Sequence, residues 1–144
     1  MRGQGDPMTF DDPRTQQYLS TKDIILLATI RADGAPLITP MWFLHDPSGL
    51  TLISVEHSHK VRNLRRDPRL HLVAESGTRG DIKGVSIRGR AQFLPDAAER
   101  RALATRLLDK YHPNLEQLWT GRAMPPSRVM FRVTPEQVHT WGLG

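Results

Sequence analysis

The sequence predicts a mainly β protein: a small barrel of six or seven strands, Greek-key in type, with helices packed outside it. Three observations lead there. Short apolar or alternating stretches recur along the chain, each closed by a turn signal such as Asp33-Gly34 or Asp46-Pro47-Ser48-Gly49. Only two stretches between them carry helical spacing. The length of 144 residues, 38% of them hydrophobic, suits one core rather than two. Many short strands hide their edges best by closing on themselves.

Taken in order, residues 1–13 (MRGQGDPMTFDDP) mix Gly, Pro and Asp without apolar periodicity and are expected to form a flexible N-terminal arm. Residues 14–144 make the single domain, opening with a short helix over Arg14–Ser20. Ile24–Arg31 reads as a strand ending at Asp33-Gly34, and Pro36–His45 as its return. Leu50–Val55 alternates. In Arg69–Glu75 one face carries Leu70, Leu72 and Ala74, and in Val85–Phe93 one carries Val85, Ile87, Gly89 and Ala91. Arg128–Val133 and Gln137–Trp141 complete the strands. Ser58–Arg66 is a short helix stopped by Pro68. Asp96–Tyr111 is a longer one, with Asp96 as N-cap, Leu103, Leu107 and Leu108 as its buried stripe, and Pro113 as its stop. Leu115–Trp119 adds a further helical turn.

Composition removes several function classes. With no cysteine there are no disulfides, thiol nucleophiles or cysteine-ligated metals. The longest apolar run, Ile24–Ala28, is far short of a bilayer span, and no secretory leader is read at the start, so no membrane association and a cytoplasmic location are expected. The excess of 20 Lys+Arg over 15 Asp+Glu, a net charge of +5, points to anionic partners. A barrel for single-stranded nucleic acid would interleave basic and aromatic residues on its strands. Aromatic residues are only 6% here and the basic cluster sits on a helix, which argues against that partner.

That cluster, Ser54–Arg69 (SVEHSHKVRNLRRDPR), is the most informative stretch. A strand ends at Ser54 and Val55, and a helix opens near Ser58 with Lys60, Arg62 and Asn63 in its first turns. Free N–H groups and the helix dipole favour an anion at such a start, so the segment reads either as a phosphate clamp or as a solvated basic helix capped by Ser58. Arg65, Arg66 and Arg69 are expected to face solvent or pair with acids. In Thr39-Pro40-Met41-Trp42 a proline inside a strand pattern demands an edge or a gap, where free backbone can meet a flat heteroaromatic ligand. Alternatively Met41, Trp42 and Phe43 simply fill the core. His57 and His59 lack a third convergent ligand, so no metal site is assigned. No nucleophile or acid–base constellation is evident and the catalytic residues stay unassigned, so any hard chemistry falls to a cofactor.

These segments, LATIRADGAPLITPMWF (27–43), SVEHSHKVRNLRRDPR, VSIRGRAQF and RVMFRVTPEQVHTW, resemble the flavin and deazaflavin oxidoreductases with the pyridoxamine 5′-phosphate oxidase-like split β-barrel, from about Tyr18 to Trp141. The K-x-R-N-L-R-R-D-P-R string is similar to the members that use the deazaflavin F420. The resemblance implies a homodimer with cofactor sites between subunits and hydride transfer to a small electron-poor substrate. Lys60 and Asn63, with Ser58 and Arg62, match the phosphate-binding segment. Thr39, Pro40, Met41 and Trp42 match the strand along the ring, and Ser54 and Val55 end the strand beneath the phosphate. Lys83 matches a position where the partner subunit approaches the cofactor. FMN is the alternative cofactor; a non-catalytic flavin- or haem-binding protein is the alternative role. Oxidation of pyridoxamine phosphate itself is not expected, since the Arg-Leu-x-Pro type ending is replaced by Thr140-Trp141-Gly142-Leu143-Gly144.

Overall fold

Seven strands and four helices make up residues 8–144, which the computed structural model of the protein describes. They run α1 (Pro13–Ser20), β1 (Ile25–Ile30), β2 (Pro36–Met41), β3 (Phe43–Asp46), β4 (Gly49–Val55), α2 (His59–Arg66), β5 (Arg69–Thr78), β6 (Asp81–Phe93), α3 (Ala97–Lys110), α4 (Asn114–Trp119) and β7 (Arg128–Trp141). All strand pairs are antiparallel, in the order β2-β1-β5-β6-β7-β4-β3.

The order explains how the sheet closes. β2 and β3 lie at opposite ends of it, yet only Trp42 separates them in sequence. The expected single strand Pro36–His45 is therefore two: the chain stays extended but changes partners, leaving β1 and joining β4. The seam between β2 and β4 carries no ladder, so the barrel is split there. From β4, α2 crosses to β5 beside β1, and the β5-β6-β7 meander returns to β4.

Alternation along the strands fills the barrel. Ile25 and Leu27 on β1, Leu70, Leu72 and Ala74 on β5, and Val85 and Ile87 on β6 point inward with Phe43, Leu52 and Phe131. Gly89 meets β7 so closely that a Cβ there would strike the Val133 side chain. A second cluster lies outside the barrel, where Ala104, Leu107, Leu108 and Tyr111 of the α3 region cover Leu44 and Met130. The strands Arg128–Val133 and Gln137–Trp141 are one, β7, because a bulge absorbs the interruption: Arg88 pairs with Gln137 and Gly89 with Pro135, leaving Glu136 unpaired. β5 and β6 extend further than expected, to a hairpin at Thr78–Asp81.

The expected free arm is also shorter than thirteen residues. Phe10 is buried in the barrel core, Thr15 donates its hydroxyl proton to Thr9 O, and Asp12 caps α1 by accepting from Arg14 N. Residues 1–7 lie outside the described residues. No described helix is long and apolar enough to cross a membrane.

Helices cover only part of the barrel. The outer faces of β1 and β2 carry Leu26, Ala28 and Ile30 beside Pro40, Ile38 and Pro36, with Ile38 62% exposed and Leu26 39%. A groove of about 470 Å³ runs on this bare face between Ala28, Ile30, His71 and Arg88.

Candidate functional site

The β4–α2 corner is built by its own backbone. Ser58 ends the turn: its N–H and its hydroxyl both donate to Val55 O, at 3.0 and 2.8 Å, and its Oγ accepts from Val61 N at 3.4 Å. Ser54 is buried, with its Oγ 3.3 Å from that of Ser58. Ser58 is thus a spent cap rather than a free ligand. The first-turn N–H groups of His59 and Lys60 have no intrahelical acceptor, as at any helix start. Lys60 is half-buried and Arg62 exposed, and neither has an ion-pair partner among the described residues.

The neighbouring arginines are engaged. Arg65 grips Glu56 at 2.7 Å, and its hydrogen bonds hold that carboxyl below its ordinary pKa. Arg69 pairs with Asp67 at 2.8 Å. Arg66 donates to Ile30 O at 2.7 Å and to Asn63 Oδ1 at 3.1 Å. Asn63 is turned inward: its Nδ2 donates to Thr29 Oγ1 at 3.0 Å, and the residue is buried. Both ends of its amide are therefore occupied in tying α2 to β1. Positive charge without a carboxylate partner among the described residues remains at the corner on Lys60 and on Arg31, Arg62 and Arg66, the three arginines lining a hollow of about 370 Å³ with His59.

Across the seam lies the other predicted stretch. β3 pairs with β4 from Phe43–Leu52 onward; Met41 lies two residues before that pair and Ser54 two after it, so both flank the point where the ladder ends. The split thus brings the ends of both predicted segments to one opening. Met41 and Phe43 are core side chains, so neither offers its side chain to a ligand. Trp42 lies outside the barrel, stacked on Tyr111 with centroids 4.3 Å apart and planes 4° from parallel. Thr39 faces inward opposite Leu27, and its Oγ1 is buried without a hydrogen-bond partner among the described residues. Such a group costs about 1–3 kcal/mol until something pairs with it.

Lys83 stands apart. It is exposed on β6 opposite Ser76, seven residues and so about 23 Å from Arg90, the β6 residue paired with Arg69 just after α2. One chain does not bring it to the corner.

Sequence reasoning missed the residues that fix the crossover. Phe43 N donates to the Tyr111 hydroxyl at 2.8 Å, and that hydroxyl lies 2.8 Å from Asp23 O and 3.2 Å from Phe43 O. Lys110 Nζ donates to Phe43 O at 2.8 Å and sits 3.7 Å above the Phe43 ring. Burial pushes the Tyr111 phenol up, keeping it neutral, and the Lys110 ammonium down to about 8. In sequence Tyr111 was only the last residue of an amphipathic helix. No group of three His, Asp or Glu side chains that could hold a metal occurs among the described residues.

A phosphate-bearing planar cofactor fits what is present: unpaired cations and N–H groups at the corner, an orphaned hydroxyl, and an open strand edge across the seam. Comparison with known proteins agrees in fold. The chain is similar to the conserved hypothetical protein Rv2991 from Mycobacterium tuberculosis, at 25% identity and a TM-score of 0.78, covering 99% of this chain and 90% of that one. It is also similar to a solved F420 reductase, at 25% identity and a TM-score of 0.60, covering 80% and 87%. It shares the fold of the haem storage protein HutZ from Vibrio cholerae, at 17% identity and a TM-score of 0.77, covering 92% and 96%. Residues 12–142 match the family model described as pyridoxamine 5′-phosphate oxidase. The split barrel, the α2 corner and this match together place the chain in the pyridoxamine 5′-phosphate oxidase family.

Proposed function

We propose that the protein is an oxidoreductase that binds a phosphate-bearing tricyclic cofactor at the split, F420 in preference to FMN, and passes a hydride to a small electron-poor substrate. The observation that carries this reading is the meeting, at one opening, of an unpaired Lys60 beside a helix start and a strand edge free of partners. The family match and the similarity to an F420 reductase support it. The surplus of basic residues suits the acidic tail of F420 better than the shorter FMN.

When bound, the cofactor supplies the hydride chemistry. The chain supplies the rest. Lys60 and the first-turn N–H groups of α2 hold the phosphate, with Arg62 adding positive field. The open edge of β2, where Pro40 turns its carbonyl away from β1, lies along the ring. Tyr111 and Lys110 pin the far end of that strand at Phe43. Met41 and Phe43, buried behind it, keep water from the inner side.

The working unit in this reading is a homodimer. The bare face carrying Leu26 and Ile38 is apolar surface that a second copy would cover. Across such a pair, Lys83 of one chain serves the site of the other.

Separate titrations of the purified protein with F420 and FMN, followed by fluorescence quenching, test the reading. Saturable binding of F420 with weaker binding of FMN is expected. Preference for FMN would keep the site and replace the cofactor; binding of neither would overturn the proposal.

A further inference from the structure

Among the described residues three arginines are half-buried: Arg100, Arg128 and Arg132. Arg132 is compensated, by Asp46 at 2.8 Å and by the hydroxyls of Thr51 and Ser48. Arg100 and Arg128 have no carboxylate in ion-pair range among the described residues. Arg100 uses a single nitrogen, Nη1, on Leu94 O at 2.9 Å and Pro95 O at 2.6 Å, and Arg128 uses its Nη1 on Ser127 Oγ at 3.1 Å. Each guanidinium has given up part of its water without gaining a counter-charge.

Both open onto one hollow of about 340 Å³. Arg65 closes another side, with its Cζ 3.9 Å over the Phe93 ring and its charge shared with Glu56. No acidic side chain lines the hollow, and the rest of its wall is apolar: Phe93, Leu94, Pro95, Val129 and Met130. The chain path explains the gathering. β6 ends at Phe93, Pro95 turns the chain into α3, and β7 opens at Arg128. Arg128 pairs with Val55 at the end of β4, and β7 flanks β4 on the side away from the seam. No residue assigned to the cofactor lines this hollow.

We infer that the hollow is a second anion site, for a small organic dianion: a phosphate monoester or a dicarboxylate on a short apolar body. Two uncompensated guanidiniums call for two negative charges, and each presents parallel donors that match phosphate or carboxylate oxygens. The apolar wall takes the body of the ligand, and the volume lies at the small end of the range for small-molecule sites. The inference stands apart from the cofactor reading, because the two sites share no residue.

Phenyl phosphate and phthalate are the probes, titrated separately into the 15N-labelled full-length protein, with inorganic phosphate and benzyl alcohol as controls. The Leu94, Val129 and Met130 amides are expected to shift saturably with at least one organic dianion, the tighter one naming the charged group. Inorganic phosphate should bind about tenfold more weakly, and benzyl alcohol should leave these amides unmoved. Arg128→Gln is expected to weaken the dianion about tenfold, whereas Lys60→Ala leaves it unchanged. A second measurement needs no variant: the side-chain Nε resonances of Arg100 and Arg128 in the wild type follow the same saturation curve. Shifts that grow linearly with both dianions, equal affinity in Arg128→Gln and wild type, or saturation abolished by Lys60→Ala would each overturn the inference and leave the cofactor site standing.

Discussion

Asn63 and Thr29 hold α2 against β1 from inside the protein, through a 3.0 Å bond between the amide and a hydroxyl that are both shut off from water. The bond joins the helix that carries Lys60 to the strand that carries β2 on its flank. The position of the cation relative to the strand edge is therefore set by a buried pair rather than by the exposed arginines around it.

The losses from removing the two members of that pair should not add. Asn63→Leu or Thr29→Val alone leaves a buried polar group unpaired and is expected to lower stability by about 1–3 kcal/mol. The double variant should lose less than the sum. Urea denaturation of the four proteins closes the cycle; additive losses would show that the two side chains act independently.

Lys60→Ala should weaken cofactor binding by about 1–3 kcal/mol, and added salt should weaken the wild type more than the variant. Arg65→Ala is the contrasting case, because its guanidinium is already committed to Glu56. Quenching titrations at two ionic strengths separate them. Equal losses in both variants would mean that the corner acts through diffuse charge, with no clamp at Lys60.

Lys110 predicts a pH dependence. Its native pKa is about 8 because burial opposes the charge, against an ordinary value of 10.5. Between these values the unfolded chain binds a proton that the native chain has released. The stability linked to this side chain therefore rises with pH across that window and is lost as pH falls through about 8. The difference in unfolding free energy between wild type and Lys110→Met should grow from about pH 7.5 to about pH 10. A flat difference would mean the amine remains charged above the Phe43 ring.

The bare face should govern association. Leu26→Arg places a charge at the centre of the uncovered patch without entering the core, since Leu26 points away from it. A homodimer at micromolar concentration should become a monomer in sedimentation, with the far-UV spectrum unchanged. A variant that still dimerises would move the interface to another surface.

Much of this was legible in the sequence. The inward face of Val85, Ile87 and Gly89 follows from alternation, and the turn at Gly34, whose φ is +87°, from Asp-Gly. The gathering of Ser54–Asn63 with Thr39–Trp42 was an inference from resemblance; the chain's exchange of partners at Trp42, which leaves Met41 and Ser54 on either side of the point where the β3–β4 ladder ends, is not written in local pattern. What local pattern does not encode is partner choice. Pro36–His45 remains extended throughout, so nothing in its alternation marks Trp42 as the point of exchange. Asn63 within a basic helix looks like a surface residue until β1 lies beneath it. Phe10 is one aromatic in a polar segment, and its anchoring role depends on a core assembled from distant strands.

The prolines of β2 have a consequence for self-association during synthesis and refolding. A strand at an open seam is normally a template on which another chain can pair, and aggregation begins on such templates. Along this edge Pro36, Ile38 and Pro40 turn their main chain away from β1, and two of the three have no hydrogen to give. An incoming strand would find one donor where three are needed, and its own carbonyls would be left facing proline rings. The gap that admits a small planar molecule is thereby closed to polypeptide, so the barrel can keep an unzipped seam without seeding fibrils.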